Sequence, residues 1–248
     1  MSSRNLLFML VDYTGRIAET NEVFDTTIKE DAEKNNLLIR DEELQPKLII
    51  PGSGWFPKGL EEALISMKKG EEKEIEVPPE KGYGPRDVSK IRTYPLRKFR
   101  NISDLKPGVQ VEIDGRIGTV RLIRSGRVQV DFNPPLAGRT LIYHVKVKDI
   151  IRNRLLRVKH LIKRRIPSLK IEDIKVNIKE STVTIELPSE SYTTQGIQII
   201  KNAIYNDITK YIPSITEVVF VERYGAPKKK VKTTPSKRKK SKKASIST

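Results

Sequence analysis

Two segments with the character of strands from one sheet lie far apart in the chain, and they constrain the fold most. "NLLFMLVDYTG" at residues 5–15 is apolar on both faces, as a central strand would be. "LIYHVKVKDII" at residues 141–151 alternates apolar and polar residues. Because the late segment matches the first in character, we predict that the chain rejoins its earlier sheet. Residues 90–133 then form an insertion.

The segments before residue 90 complete a small α+β unit. "EVFDTT" and "KLIIPG" predict short strands, while the acidic residues 28–46 predict an irregular, exposed connection. "KGLEEALISMKKGE" has helical periodicity and predicts a helix that Gly70 stops. Its apolar face is formed by Leu60, Ala63, Leu64 and Met67. "EKEIEVPPEKGYG" predicts a strand that ends in Pro and Gly turns.

Two further folded regions follow. Residues 90–131 carry ten Lys or Arg against four acids in short alternating segments, which predicts a β-rich module with tight turns at Asp114–Gly115 and Ser125–Gly126. From Asn153 onward, the pattern predicts the order α-β-β-α-β, a two-layer α+β domain.

Composition narrows the chemistry. The absence of cysteine excludes disulfides, thiolate zinc sites and a cysteine nucleophile, and two histidines, His144 and His160, are too few for a histidine-built metal site. We therefore predict no metal and no cofactor. The apolar run "LLFMLV" is shorter than the core of a signal peptide, and no apolar stretch approaches the ~18 residues of a membrane span. These features predict a soluble, cytoplasmic protein.

The net charge of +17 is concentrated in the tail. The stretch after Pro227 holds ten Lys or Arg and no acid, and without it the balance is 38 basic against 31 acidic residues. We predict a disordered tail that contacts a polyanion such as RNA or a ribosome, while a purely solubilising terminus is the alternative. The predicted contact residues are Lys228, Lys229, Lys230, Lys237, Arg238, Lys239 and Lys240.

Several motifs, in a fixed order, carry a family resemblance. "VDYTGR" with "VFDTT", then "GSGWFPKGLEEAL", "MKKGEEKEIEVPPEKGYG" and "NPPLAGRTLIYHVKV" resemble the FKBP-type peptidyl-prolyl isomerases. The basic insertion between "GYG" and "LAGRTL" is similar to the insert-in-flap chaperone domain of the SlyD-like subgroup. The α-β-β-α-β segment resembles the extra domain of long archaeal members.

This resemblance implies an α+β multidomain fold. It comprises a bent antiparallel FKBP-like sheet over a helix, a β-rich inserted flap domain, a C-terminal α-β-β-α-β domain and a disordered basic tail. The implied boundaries are 1–89 with 134–151 for the isomerase domain, 90–133 for the insert, 152–225 for the C-terminal domain and 226–248 for the tail.

The resemblance also implies a shallow aromatic pocket that binds proline. The implied catalytic residues are Tyr13, Phe24, Asp25, Phe56, Leu60, Tyr83 and Tyr143, and the implied substrate-binding residues are Trp55, Pro57 and Leu136. Core packing is the alternative role for each catalytic residue, and Phe24, Leu60 and Tyr143 would be buried in such a fold in any case. Asp25 is more telling, because a carboxylate inside a strand is costly unless it is paired or functional.

Three positions depart from the family pattern. Pro57 stands where a backbone N–H normally binds the substrate carbonyl, and proline has no such donor. Lys47 stands where many members have an apolar wall, and Pro134–Pro135 stiffens the hinge where the insertion rejoins. A lost hydrogen bond is worth roughly 0.5–1.5 kcal/mol, so we expect weakened rather than abolished isomerase activity.

The insert is expected to capture unfolded chains through an apolar surface of Tyr94, Leu96, Phe99 and Ile102. RNA binding and a merely solvated module are the alternatives, because aromatics interleaved with basic residues also suit RNA. The His- and Cys-rich metal-binding tail of SlyD-type proteins is absent from this sequence.

The sequence predicts two candidate functions. One is a peptidyl-prolyl isomerase that acts on proline-containing unfolded or nascent polypeptides, with holdase activity in the insert. The other is a ribosome- or nucleic-acid-associated chaperone whose isomerase activity is weak or vestigial.

Overall fold

A computed structural model of the protein describes residues 6–99 and 102–224. The described chain forms three units, each built around its own sheet. The first unit contains strands β1 (Met9–Ile17), β2 (Val23–Thr26), β3 (Lys47–Ile49), β4 (Glu72–Val77) and β9 (Leu141–Ile150), with helices α1 (Lys29–Lys34) and α2 (Lys58–Leu64). The insert contains β5 (Ile91–Pro95), β6 (Gln110–Ile113), β7 (Arg116–Arg124) and β8 (Arg127–Asp131). The C-terminal unit contains α3 (Arg154–Arg165), β10 (Lys175–Lys179), β11 (Thr182–Glu186), α4 (Ile197–Tyr211) and β12 (Glu217–Val221).

The late strand β9 does rejoin the first sheet. It lies between β1 and β4 in the order β2-β1-β9-β4, and β3 also pairs with β1. All these pairings are antiparallel, with Tyr13 opposite Val145 and Ile75 opposite Tyr143. The prediction of an interrupted sheet is therefore confirmed.

Two local predictions in the first unit were wrong. Helix α2 ends at Leu64 rather than near Gly70, because the Met67 N–H bonds the carbonyl of Leu64 and closes a tighter i→i+3 turn. The connection 28–46 is not irregular throughout, since α1 buries Ala32. Asp31 anchors this helix by accepting a hydrogen bond from the Thr14 hydroxyl of β1.

The insert is a four-stranded antiparallel sheet with the order β5-β8-β7-β6. Both predicted tight turns are present. Asp114–Gly115 and Ser125–Gly126 adopt positive φ at each residue, the conformation that two-residue hairpin loops require.

A hydrogen-bond network around Asp131 stabilises the junction of the insert with the first unit. The Arg86 guanidinium donates through Nε to Asp131 Oδ2 at 2.8 Å, and a second N–H of Arg86 reaches the same carboxylate. Asn133 donates to the other oxygen of Asp131 at 2.7 Å and to the carbonyl of Asp87 at 2.9 Å. Because Asp131 is buried, these bonds hold the two segments that connect the insert to the first unit in one arrangement.

The C-terminal unit has the predicted α-β-β-α-β order, with β10 antiparallel and β12 parallel to the central strand β11. Asn153 caps α3 by accepting hydrogen bonds from the N–H groups of Leu155 and Leu156. Within residues 6–99 and 102–224, no helix is long and apolar enough to cross a membrane.

The C-terminal unit packs directly on the first unit. Phe8 and Ile50, which are fully buried, share one hydrophobic core with Val158 and Leu161 of α3. The Arg157 guanidinium lies 4.7 Å from the centre of the Phe8 ring, a cation–π contact across the same boundary. The residues around the start of β1 pack against α2 on one face of the sheet and against α3 on the other. This is why both faces are apolar there.

Candidate active site

A groove of about 520 Å³ opens between the first unit and the C-terminal unit. Its first-unit side is formed mainly by Tyr13, Asp25, Lys47, Trp55, Phe56, Pro57, Tyr83 and Tyr143. Its opposite side is formed by α3 and the turn after it, through His160, Lys163, Arg164, Arg165 and Pro167. An aromatic wall thus faces a basic one.

Tyr13 is the centre of the aromatic wall. Its ring meets Phe56 edge-on at 5.6 Å and Tyr143 at 6.0 Å between centroids. Strand pairing explains the contact between Tyr13 and Tyr143, because β1 and β9 are neighbours and these two side chains point to the same face of the sheet. Edge-to-face contacts of this kind hold the rings in fixed orientations.

Tyr13 also positions the carboxylate of Asp25. Its hydroxyl donates a hydrogen bond of 2.5 Å to Asp25 Oδ2. Burial, followed by the neighbouring Asp25 charge, raises the pKa of Tyr13 far above its ordinary value, so the hydroxyl remains a proton donor. This pairing explains how strand β2 accommodates a carboxylate. One oxygen of Asp25 accepts a hydrogen bond from the buried Tyr13, and the side chain also lines the groove.

Tyr83 presents the most exposed polar group of the aromatic wall. It follows β4 in a turn and is 46% exposed, whereas Tyr143 is almost fully buried. Burial, followed by the adjacent Tyr83, raises the pKa of Tyr143, so the Tyr143 hydroxyl stays protonated near neutrality. Because Tyr83 is partly exposed and lines the groove, a peptide bound there can reach its side chain.

Three family descriptions match successive parts of the sequence. Residues 3–99 match the FKBP-type peptidyl-prolyl cis-trans isomerases, residues 94–136 the FKBP26 IF domain, and residues 157–225 the FKBP26 C-terminal domain. The short-type peptidyl-prolyl cis-trans isomerase of Methanocaldococcus jannaschii is 36% identical over 145 residues, which cover 58% of this chain and 90% of that relative. The chain belongs to the FKBP-type peptidyl-prolyl cis-trans isomerases.

Two bacterial relatives of the isomerase agree with this assignment. The probable FKBP-type 16 kDa isomerase of Pseudomonas fluorescens is 31% identical over 104 residues, covering 40% of this chain and 69% of the relative. The SlyD isomerase of Helicobacter pylori is 29% identical over 143 residues, covering 56% and 69% respectively.

The predicted pocket residues of the isomerase divide into two groups. Tyr13, Asp25, Trp55, Phe56, Pro57, Tyr83 and Tyr143 line the groove. Phe24, Leu60 and Leu136 do not line it and pack behind it in the core of the first unit. Phe24 meets Tyr143 edge-on at 5.7 Å, so it supports the wall from behind. Gly15 makes this contact possible, because a Cβ there would lie 2.7 Å from the Phe24 ring.

Glu61 of the isomerase is a functional candidate that the sequence prediction missed. Its buried carboxylate accepts hydrogen bonds from the Ser53 hydroxyl and from four backbone N–H groups, those of Gly52, Gly54, Trp55 and Phe56, at 2.8–3.2 Å. This single carboxylate fixes the loop that carries the Phe56 wall of the groove. The available signal was an acidic residue in the first turn of a helix directly after a Gly-Ser-Gly loop.

Trp55 joins the two sides of the isomerase groove. Its ring meets Tyr211 of α4 at 4.9 Å, and the Arg164 guanidinium lies 3.5 Å from its centre. Lys47, the second departure from the family pattern, also lines the groove and lies 3.7 Å from Glu43. The aromatic wall therefore ends at a cluster of cations.

The predicted chaperone surface is not an exposed surface. Phe99 is buried, while Tyr94 and Leu96 are half-buried against the insert's own small core. Tyr94 packs edge-on against both Phe99 and Phe132, which explains why these aromatics turn inwards. The side chain of Ile102 lies outside the described residues. So do all seven predicted polyanion contacts of the tail.

The half-buried His160 makes stability depend on pH. Burial, followed by the positive charge of Lys163, lowers the pKa of His160 to about 4 from 6.5, although the Asp149 carboxylate acts in the opposite direction. Between these two pH values the unfolded chain binds a proton that the folded chain does not. The free energy of unfolding therefore falls as the pH drops from 6.5 towards 4. After allowance for solvent screening, we expect His160 to contribute about 1–2 kcal/mol of this loss.

Denaturant unfolding between pH 4 and 7.5 measures this contribution. The His160→Gln variant should lose less stability on acidification than the parent chain. His144→Gln is the matched control, because the side chain of His144 is 44% exposed and pairs with Glu72 on the first sheet. Identical pH profiles for the parent and the His160→Gln variant would contradict the prediction.

Proposed function

We propose that the isomerase uses this groove to rotate X-Pro bonds in unfolded or nascent chains, and that its insert holds those chains. The observation that carries the first part is the aromatic wall with the Tyr13–Asp25 pair and an exposed Tyr83 hydroxyl. Rotation about an amide must cross a barrier of ~18–20 kcal/mol that arises from resonance. A thousandfold acceleration requires lowering this barrier by only ~4 kcal/mol.

Each part of the wall has a role in this proposal. The rings of Tyr13, Phe56 and Tyr143 enclose the proline and replace water, which favours the less conjugated, twisted amide over the planar one. Asp25 lies beside the twisting carbonyl, where its charge is held in place by Tyr13. The Tyr83 hydroxyl donates to a flanking carbonyl of the peptide and limits its motion. Neither a nucleophile nor a cofactor takes part in these steps.

Exchange kinetics on blocked proline peptides test these roles. We expect Asp25→Ala and Tyr83→Phe to lower kcat/KM, the second by about tenfold at most, because one hydrogen bond is worth ~0.5–1.5 kcal/mol. Tyr205→Phe is the matched control, since Tyr205 of α4 is 41% exposed and lies away from the groove. Unchanged rates for both groove variants would overturn the assigned site.

Pro57 should limit the rate of this isomerase. It precedes α2 with φ −52° and ψ 137°, which isoleucine also adopts, and it lines the groove. Pro57→Ile adds a backbone N–H at the position where the family pattern has one. We expect kcat/KM on proline peptides to rise by up to about tenfold. An unchanged or lower rate, with the fold intact by circular dichroism, would show that this position makes no substrate contact.

Exposed apolar residues of β7 support the holdase role of the insert. A bulge between Val120 and Leu122 shifts the register, so that Leu122 joins Ile117 on the outward face of the sheet. Ile117 is 69% exposed and Leu122 is 50% exposed. An unfolded chain can cover these side chains and gain apolar contact there.

Aggregation assays test this face. We expect the double variant Ile117→Thr, Leu122→Thr to suppress aggregation of an unfolded protein less well, while kcat/KM on short peptides stays unchanged. Threonine is β-branched, a shape that a strand favours, and it is less apolar than either residue it replaces. Leu38→Thr is the control, because Leu38 is fully exposed on the first unit. Equal suppression by both variants and the parent would contradict a role for this face.

Ribosome or nucleic-acid association is a second candidate, and it is favoured by the ten cations of the tail. Sedimentation with ribosomes at rising salt separates the two candidates, because binding through phosphate neutralisation weakens steeply with salt. Binding that depends on residues 226–248, together with background isomerase rates, would favour the association role. Proline turnover without any binding at low salt would exclude it.

A further inference from the structure

Helix α3 gives the groove a basic wall that belongs to the C-terminal unit. Lys163, Arg164 and Arg165 face the groove from consecutive positions near the end of this helix. His160 lies on the same wall but is uncharged near neutrality, because burial lowers its pKa. The charge of the wall therefore comes from the three cations.

A single carboxylate, that of Asp207, forms ion pairs with cations of this wall. Arg165 donates to both oxygens of Asp207 on α4, at 2.6 and 2.9 Å. Arg164 lies 3.5 Å from the same carboxylate. Among residues 6–99 and 102–224, no other acidic group lies within 4.0 Å of a charged nitrogen of these cations. The wall keeps an excess of positive charge.

Lys163 and Arg164 keep donors available to a ligand. Lys163 donates one hydrogen bond, of 2.8 Å, to the carbonyl of Leu169, and an ammonium group has three hydrogens. The Arg164 guanidinium stacks on Trp55 and donates no hydrogen bond to the part of the chain that the structure describes. Stacking fixes its plane, and a fixed guanidinium is well suited to bind a carboxylate.

We propose that Lys163 and Arg164 select X-Pro segments that carry an acidic residue close to the proline. This inference rests on the proposed function, since it assigns a substrate class to the same groove. An extended peptide whose proline lies against Tyr13 and Phe56 passes between the two walls, and a nearby carboxylate meets the α3 cations. On the first-unit side Asp25 is negative, so acidic residues are favoured only where they reach α3.

Peptide pairs that differ by one charge test the selection in the full chain. Acetylated and amidated peptides with a central Leu-Pro carry Glu or Gln either two residues before or two residues after the proline. At low salt we expect kcat/KM to be about threefold to tenfold higher for Glu than for Gln in at least one position. At ~1 M salt, where charges are screened within ~3 Å, the ratio should approach one.

Variants of α3 locate the effect. Lys163→Glu should reverse the preference and favour a Lys peptide over Gln, and Arg164→Gln should lower the Glu/Gln ratio. Lys159→Glu is the matched control, because Lys159 lies on the same helix and bonds the carbonyl of Ile171 but does not line the groove. Each ratio compares two peptides on one preparation, so partial unfolding does not imitate a loss of preference.

The two proposals fail in different ways. Equal turnover of Glu and Gln peptides at both positions in low salt overturns the charge selection alone. A preference that survives Lys163→Glu and Arg164→Gln overturns its assignment to α3. No turnover of any peptide overturns the proposed isomerase site, and the charge selection with it.

Discussion

Replacing Glu61 by alanine is expected to lower the free energy of unfolding by about 3 kcal/mol and kcat/KM at least tenfold. The reason is that one buried carboxylate satisfies five donors of the loop 52–56. Without it, the backbone N–H groups of Gly52, Gly54 and Phe56 lose their only protein acceptor among the described residues, and the loop that carries Phe56 loses its fixed position. Denaturant unfolding and peptide exchange kinetics measure the two effects.

Two further variants make this prediction specific. Glu61→Gln should fall between the parent and the alanine variant, since an amide retains one accepting oxygen but turns an NH₂ group towards N–H donors. Glu62→Ala is the neighbouring control. Glu62 is exposed and pairs with Lys81 and Lys58 at the surface, so its loss should cost no more than about 0.5 kcal/mol. Equal stabilities for Glu61→Ala and Glu62→Ala would contradict the proposed role of Glu61.

Replacing Trp55 by alanine is the second large change. Trp55 contacts Tyr211 edge-on and lies under Arg164, so it ties the loop at the groove to both helices of the C-terminal unit. We expect a loss of about 3 kcal/mol in the free energy of unfolding, since truncation of a large aromatic removes its apolar contacts and the cation–π pair. The preference for acidic peptides should disappear with it.

Calorimetry of Trp55→Ala tests whether the two units unfold together. A shared core makes a single transition the expectation for the parent chain, and weaker docking should broaden or split it. Trp55→Phe is the conservative control and should keep most of the stability, because a phenyl ring still packs against Tyr211. A parent-like single transition for Trp55→Ala would show that the shared core around Phe8 suffices for docking.

The order of elements could be predicted from the sequence, because each has a local signal. Alternation identified β9, and Gly-containing pairs identified the hairpin turns of the insert. The helix and strand order after Asn153 followed from periodicity in the same way. Where α2 ends was not predictable from periodicity, because Met67 keeps the apolar spacing of the helix but its N–H closes an i→i+3 turn on Leu64.

Docking of the C-terminal unit on the groove could not be predicted. It depends on surfaces from distant segments, such as Phe8 against α3 and Trp55 against α4. The sequence pattern predicted α3 only as the first helix of the α-β-β-α-β order, although Arg157 and Arg164 each stack on an aromatic ring of the first unit. The inward turn of Tyr94 and Phe99 was missed for a related reason, since it depends on packing against residues from later segments of the insert, such as Phe132.

Trp55 is the only tryptophan in the chain, and it lies at the junction of the two units. Its intrinsic fluorescence is therefore a built-in optical reporter of their association. Separation of α3 and α4 from the groove loop would remove the Arg164 and Tyr211 neighbours and expose the indole to water, which shifts its emission to longer wavelengths. The same signal would report a peptide that enters the groove beside it, without any attached label.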